Sequence, residues 1–279
     1  MAPAAAISRG QRPDRGYCNA IGRRTGPGTI VKRLAIIGGT GIDELEGLKI
    51  VGEHQVRSPY GEPSRAIQEG AMADCQVFFL QRHGSPNAIP PHLINYRANL
   101  WALHSLGVDD IVAINAVGGI TPAMVPGRLV IPDQLIDYTW GREHTIDDGR
   151  SGQMQHIDFT EPYDRDLRQA LLGEADRAGI AHASSAVHGV TQGPRLETAA
   201  EIRRMAQDGC DIVGMTGMPE AALARELGMA YASVCMVVNP APGLGDLPIA
   251  LEMMQEILQR EASVVRQLLT RLLAARYSS

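Results

Sequence analysis

Cysteine is scarce in this chain of 279 residues, and its four copies, Cys18, Cys75, Cys210 and Cys235, stand far apart. None forms a Cys-x-x-Cys pair, which excludes the usual sequence sign of a zinc ribbon or redox dithiol and points to reduced thiols in a cytoplasmic protein. His, Cys and carboxylate residues nowhere cluster at zinc-ligand spacing, and no calcium-loop pattern appears, so no metal is expected. No stretch reaches the roughly 18 consecutive apolar residues of a membrane span. Two nucleotide signatures are broken off short. A P-loop would need Gly-Lys-Ser/Thr, which is absent, and a dinucleotide fingerprint starting at Gly39 and Gly41 meets Glu44 where its third glycine belongs.

What is present reads as an ordinary globular chain, 44% hydrophobic and 20% charged, with a net charge of −5. That balance gives no reason to expect nucleic acid as a partner. The charge is uneven, however. The first 33 residues carry seven basic side chains and one acid, Asp14, leaving −11 on the remainder. This opening has Gly, Pro and Arg but no periodic apolar face, and no apolar core of signal-peptide length. Residues 1–32 are therefore expected to be a disordered basic extension, and 33–279 a single domain.

From residue 34 onward, short apolar runs alternate with helical periodicity. Strands are expected at 34–39, 76–81, 111–117, 186–192, 211–215 and 231–239, with an extended stretch over 128–136. Helices are expected at 92–106, where Leu93, Tyr96, Leu100, Leu103 and Leu106 would form the buried face, and at 164–178, 197–207 and after Pro219. A long amphipathic helix closes the chain through Leu251, Met254, Leu258, Val265, Leu268 and Leu272. The alternation predicts an α/β fold, a mixed β-sheet flanked by helices on both faces.

Polar groups gather where the strands end, which is where α/β sheets bind ligands. Thr40 follows a glycine-rich turn, Arg82 and His83 follow 76–81, Asn115 and Ala116 close 111–117, and Thr216 precedes a helix. Together they offer two hydroxyls, a guanidinium, an imidazole and backbone N–H groups, a donor set of phosphate size with one fixed positive charge. Taken singly, the glycine turn is also a plain tight turn and Arg-His a surface pair. No acidic pair is present to hold magnesium, so phosphate is expected as a nucleophile or bound anion rather than as a group carried from a nucleotide.

Five blocks, Ile-Gly-Gly-Thr-Gly (37–41), Pro-Tyr-Gly-Glu-Pro-Ser (59–64), Arg-His-Gly (82–84), Gly-Pro-Arg-Leu-Glu-Thr (193–198) and Met-Thr-Gly-Met-Pro-Glu (215–220), resemble the family of purine nucleoside and 5′-methylthioadenosine phosphorylases. The likeness runs from about residue 34 to 275. It implies the nucleoside phosphorylase fold, attack of phosphate on the ribose anomeric carbon, departure of the purine, no cofactor, and a homotrimer. On the matching positions it implies phosphate binding by Thr40, Arg82, His83, Asn115, Ala116 and Thr216, with His83 and Asn239 catalytic. Met215 would meet the ribose, Leu196 would cover the purine face, and His156 would reach a neighbouring subunit's cleft.

Residue chemistry narrows the substrate. A Glu197 carboxylate accepts from the N1–H of a 6-oxopurine but faces the N1 acceptor of adenine. Asn239 can donate to O6 and accept from a protonated N7. Adenine-preferring members resemble one another in having Asp at this place and a second Asp two residues on, where this chain has Ala241. At the sugar's 5′ end, ordinary nucleoside enzymes of the family use a His near the start of the last helix. Here no His follows His188, and Ile249, Leu251 and Met254 suit a 5′-methylthio group. The expected substrate is thus S-methyl-5′-thioinosine. Inosine and guanosine come next, then 5′-methylthioadenosine; a nucleoside-binding sensor on the same fold is the non-enzyme alternative.

Overall fold

The computed structural model describes residues 32–278 apart from 43, 86–88, 150–153, 155 and 246–250; of 251–253 it describes the backbone alone. The expected disordered extension falls outside the described residues except for Lys32, whose ammonium bonds the buried Asp110 at 3.1 Å.

In chain order the elements are β1 (Leu34–Gly38), β2 (Lys49–His54), β3 (Ile67–Met72), β4 (Cys75–Gln81), α1 (Tyr96–Ser105), β5 (Asp110–Gly119), β6 (Leu129–Val130) and β7 (Gln134–Asp137). Then follow α2 (Arg165–Arg177), β8 (His182–Ala183), β9 (Val187–Val190), α3 (Ala199–Gln207), β10 (Ile212–Gly214), α4 (Gly217–Glu226), β11 (Ala230–Pro240) and α5 (Leu251–Arg276). All these strands belong to one mixed sheet. At its centre β4, β1, β5 and β11 lie side by side and parallel.

Parallel strands covered on both faces read as continuous apolar runs, and β1 is buried at all five positions. Its residues alternate between two cores. Leu34 and Ile36 join α2 and α5, through Leu167, Leu171, Leu268 and Leu272. Ala35 and Ile37 join α1 and α4, through Leu100, Leu103, Ala221 and Leu223. The helix α3 seals a smaller cluster with Ile202 and Met205 against Val213 and Ala241.

Three local departures from the sequence reading have physical causes. The expected helix over 92–106 splits into a 3-10 turn at Pro91–Leu93 and α1, whose N-cap Asn95 accepts from the Ala98 N–H; Leu93 is left 65% exposed rather than on the buried face. The extended stretch over 128–136 is two strands, β6 on β11 and β7 on β9. Pro132 lies between them, a residue with no N–H to continue a ladder. The outer strands β2 and β3 carry Lys49, Glu53, His54 and Glu69 in place of an apolar run, so nothing in their pattern announces a strand. In α4, Met218 is extended (φ −119, ψ 141), so the regular helix begins at Pro219, its expected first position.

Candidate active site

Because β1, β4, β5 and β11 are parallel, their C-terminal ends open on one edge of the sheet. There β10 runs antiparallel to the end of β5, pairing Val213 with Gly118. The chain leaving β10 therefore turns back along β5 and sets Thr216 beside Asn115. One cleft gathers these ends. Its wall includes Thr40, Arg82, His83, Asn115, Ala116, Leu196, Glu197, Met215, Thr216, Asn239 and Met254. Backbone crowding demands glycine at its floor. A Cβ on Gly39 would lie 2.4 Å from the Ile114 carbonyl oxygen and 2.8 Å from Arg82 Nη1.

Arg82 is fully buried and already matched. Its Nε and Nη2 each donate at 2.8 Å to the two carboxylate oxygens of Glu220, and Nη1 donates at 2.9 Å to the Ile114 carbonyl. Glu220, also fully buried, accepts a third bond from the Tyr231 hydroxyl at 2.9 Å. Burial alone would loosen the guanidinium's proton, but the Glu220 charge outweighs it and holds Arg82 above its ordinary value. The fixed positive charge read from sequence is therefore cancelled next door. A guanidinium has five N–H donors, and the three bonds leave two for a ligand.

The hydroxyl of Thr216 is also spoken for. It donates to Asn115 Oδ1 at 2.8 Å, while Asn115 Nδ2 donates to Ser233 at 2.6 Å. So Thr216 presents its oxygen and backbone to the cleft, not the donor proton counted from sequence, and the Asn115 side chain acts by holding it. His83 Nδ1 lies 2.8 Å from the Ile89 carbonyl. A carbonyl only accepts, so this nitrogen carries the proton.

Among the other lining residues, Glu197 is buried and takes a 2.6 Å bond from Thr191 on Oε1. Asn239, also buried, donates from Nδ2 to the Pro240 carbonyl at 2.6 Å, which leaves its second amide proton and its carbonyl. Leu196 is 43% exposed at the rim. Ala241 is fully buried with Ile120, Ile202 and Val213, behind the cleft wall rather than on it. His156 is exposed and is not among the lining residues. Leu251 opens α5, but its side chain and Ile249 lie outside the described residues.

A family model described as the phosphorylase superfamily matches residues 33–274. The chain belongs to this superfamily. Its enzymes are nucleoside phosphorylases, pentosyltransferases, and the sequence reading of fold and enzyme class holds. A Pseudomonas syringae pv. tomato protein named "Probable S-methyl-5′-thioinosine phosphorylase" is 50% identical over 86% of this chain and 98% of its own length. The 6-oxopurine nucleoside phosphorylase of Pyrococcus furiosus is 43% identical over 85% and 90%. Among solved structures, methylthioadenosine phosphorylase from Schistosoma mansoni in complex with adenine superposes with a TM-score of 0.83, at 33% identity over 88% of this chain and 91% of that one.

Sequence reading overlooked three residues in this phosphorylase. Glu220 was visible as an acid in the first turn of α4, at the end of a matching block, yet its partner lies 138 positions away. Tyr231 is the second residue of β11 and carried no polar signal. Arg142 sits in a polar loop without periodicity, and only the fold shows that it reaches Met215, Met218, Thr191 and Gln192.

Proposed function

We propose that this phosphorylase cleaves S-methyl-5′-thioinosine with inorganic phosphate, giving hypoxanthine and 5-methylthioribose 1-phosphate. A phosphate oxygen bonds the anomeric carbon as the bond from that carbon to purine N9 breaks, its electron pair leaving with the base. The transition state is oxocarbenium-like on the sugar and negative on the purine, so groups that meet the purine charge lower the barrier. The observation that carries the reading is that Glu197 and Asn239 both line the cleft. The carboxylate accepts from N1–H. The free amide proton of Asn239 serves O6, and its carbonyl serves a proton that reaches N7 from water. Adenine would place acceptor against acceptor at N1, and a mismatch of buried polar groups can cost about 10⁴-fold.

Phosphate is assigned to the opposite end, between Thr40, the two remaining Arg82 protons, His83, the Asn115–Ala116 backbone and the start of α4. Partly buried Met254 lines the cleft and, with Leu251, would take the 5′-methylthio group. The reading carries no cofactor, a homotrimer in which the exposed His156 serves a neighbour's cleft, and a cytoplasmic setting; no described helix is long and apolar enough to cross a membrane. The Pyrococcus relative favours a second reading, a general 6-oxopurine enzyme acting on inosine and guanosine.

Phosphate-dependent release of free base from methylthioinosine, methylthioadenosine, inosine and guanosine tests both. The highest kcat/KM is expected on methylthioinosine. Parity with inosine selects the second reading, and a preference for methylthioadenosine rejects both.

A further inference from the structure

Two guanidinium groups are buried at this cleft, and they are wired in opposite ways. Arg82 is held by a carboxylate. Arg142, 8% exposed, makes all its hydrogen bonds to neutral acceptors. Its Nε donates to Gln192 Oε1 at 3.1 Å, and Nη2 donates to the carbonyls of Thr191 and Gln192 at 3.2 and 2.8 Å. Its Nη1 donates to the carbonyls of Met215 and Met218 at 2.9 and 2.6 Å, and to the Tyr96 hydroxyl at 3.3 Å. The guanidinium carbon also sits 5.5 Å from the centre of the Tyr96 ring.

A cation taken from water must be resolvated by the groups around it. Here backbone carbonyls do that work, and each is fixed in return, because a loop that withdraws its carbonyl leaves the charge short of partners. Burial accordingly lowers the guanidinium's hold on its proton, with Tyr96 and Asp137 acting the other way.

Most of the groups so fixed belong to one half of the cleft; Met218, at the start of α4 close to Thr216, is the exception. Met215 lines it directly. Thr191 gives its carbonyl to Arg142 and its hydroxyl to Glu197. Tyr96 passes its own proton to the carbonyl of Pro91, another lining residue, at 3.0 Å. Thr40, Arg82, His83 and Asn115 take no part in this set. We propose that Arg142 is the positioning residue for the nucleoside half of the cleft, setting Glu197 and Met215, while Glu220 holds Arg82 in the phosphate half. This rests on the assignment of Glu197 and Met215 to the nucleoside.

The test is Arg142→Lys, with methylthioinosine and phosphate varied separately, alongside hydrogen exchange on the ligand-free protein. Lysine keeps the charge but has three donors in place of five. The nucleoside KM should rise about tenfold or more, the scale of one lost charge-assisted hydrogen bond. The phosphate KM should rise by at most about threefold, since Arg142 touches that half only through Met218 while Arg82 keeps Glu220. Exchange should quicken over 191–192 and 215–218 but not in β1. Equal rises in both KM values would mean that Arg142 supports the fold alone, and an unmoved nucleoside KM or unmoved exchange would also overturn the assignment. If Arg142→Lys does not fold, Gln192→Ala and Tyr96→Phe decide, since each removes one acceptor. A rise clearly larger in the nucleoside KM than in the phosphate KM upholds the proposal, and a uniform rise or none defeats it. A wild-type protein inactive on every nucleoside condemns the functional reading instead and leaves the exchange arm to judge Arg142.

Discussion

At the scale of single residues, base choice turns on Glu197 and Asn239. Asn239→Asp removes the amide donor to O6 and provides an acceptor for adenine's 6-amino group. Glu197→Ser removes the acceptor that opposes adenine N1. Together they should move the kcat/KM ratio of methylthioinosine to methylthioadenosine by at least about 100-fold towards the adenine nucleoside, the scale of a few mismatched buried hydrogen bonds. A ratio that stays put in a folded double variant would mean that these side chains do not face the purine. The two contacts meet one base, so their effects should not add. Ala241 stands apart from this switch. It is fully buried among Ile120, Ile202 and Val213, so Ala241→Asp places a carboxyl in an apolar cluster. It should lower unfolding stability by about 2 kcal/mol or more, read as a lower denaturant midpoint. An Ala241→Asp protein as stable as wild type would show that the carboxyl escapes into the cleft.

At the scale of elements, the Arg82–Glu220 pair fastens the end of β4 to the first turn of α4, and Tyr231 adds β11. Arg82→Ala removes one partner and leaves a buried carboxylate, which should cost about 3–5 kcal/mol in stability. Loss of phosphate affinity in that variant would therefore mix two effects. Arg82→Met with Glu220→Met separates them. The double variant should recover most of the stability while phosphate KM stays raised by roughly 10-fold or more. A normal phosphate KM in the double variant would take Arg82 out of the anion site.

The same elements show why part of the molecule was readable from sequence. β1, β4, β5 and β11 are buried on both faces, so composition alone betrays them, and turn residues at their ends marked Thr40, Arg82, Asn115 and Asn239. β2 and β3 were invisible because outer strands with one wet face need no apolar run. Partnerships such as that of Glu220, or of Arg142 with four separate backbone carbonyls, join positions far apart in the chain, and no local pattern encodes them. The Thr216 hydroxyl was misjudged for a similar reason: its proton goes to Asn115, 101 positions away.

At the scale of the whole molecule, one buried imidazole ties folding to pH. His188 in β9 is fully buried, with Nδ1 3.2 Å from the Tyr163 hydroxyl and no partner for Nε2 among the described residues. Burial, reinforced by the nearby charge of Arg82, lowers its pKa from 6.5 to about 4. In that window the unfolded chain binds a proton that the folded one refuses. The stability that neutral His188 permits is thus complete above 6.5 and drains away as pH falls towards 4, at about 1.4 kcal/mol per pH unit at its steepest. Denaturant titrations of wild type and His188→Gln across this range check the point, and equal slopes would clear His188 of the effect. A further consequence comes from β5. It pairs with β1, β10 and β11, and its last residues are also cleft wall. A protease can cut within β5 only after the strand has come loose, and loosening β5 dismantles the binding site. Occupancy and resistance to cleavage in β5 are then one equilibrium. Substrate at 100 times its Kd adds about 2.7 kcal/mol, which slows degradation about 100-fold wherever cleavage waits on opening. Cleavage within β5 should therefore slow when the nucleoside is plentiful and quicken when it is spent.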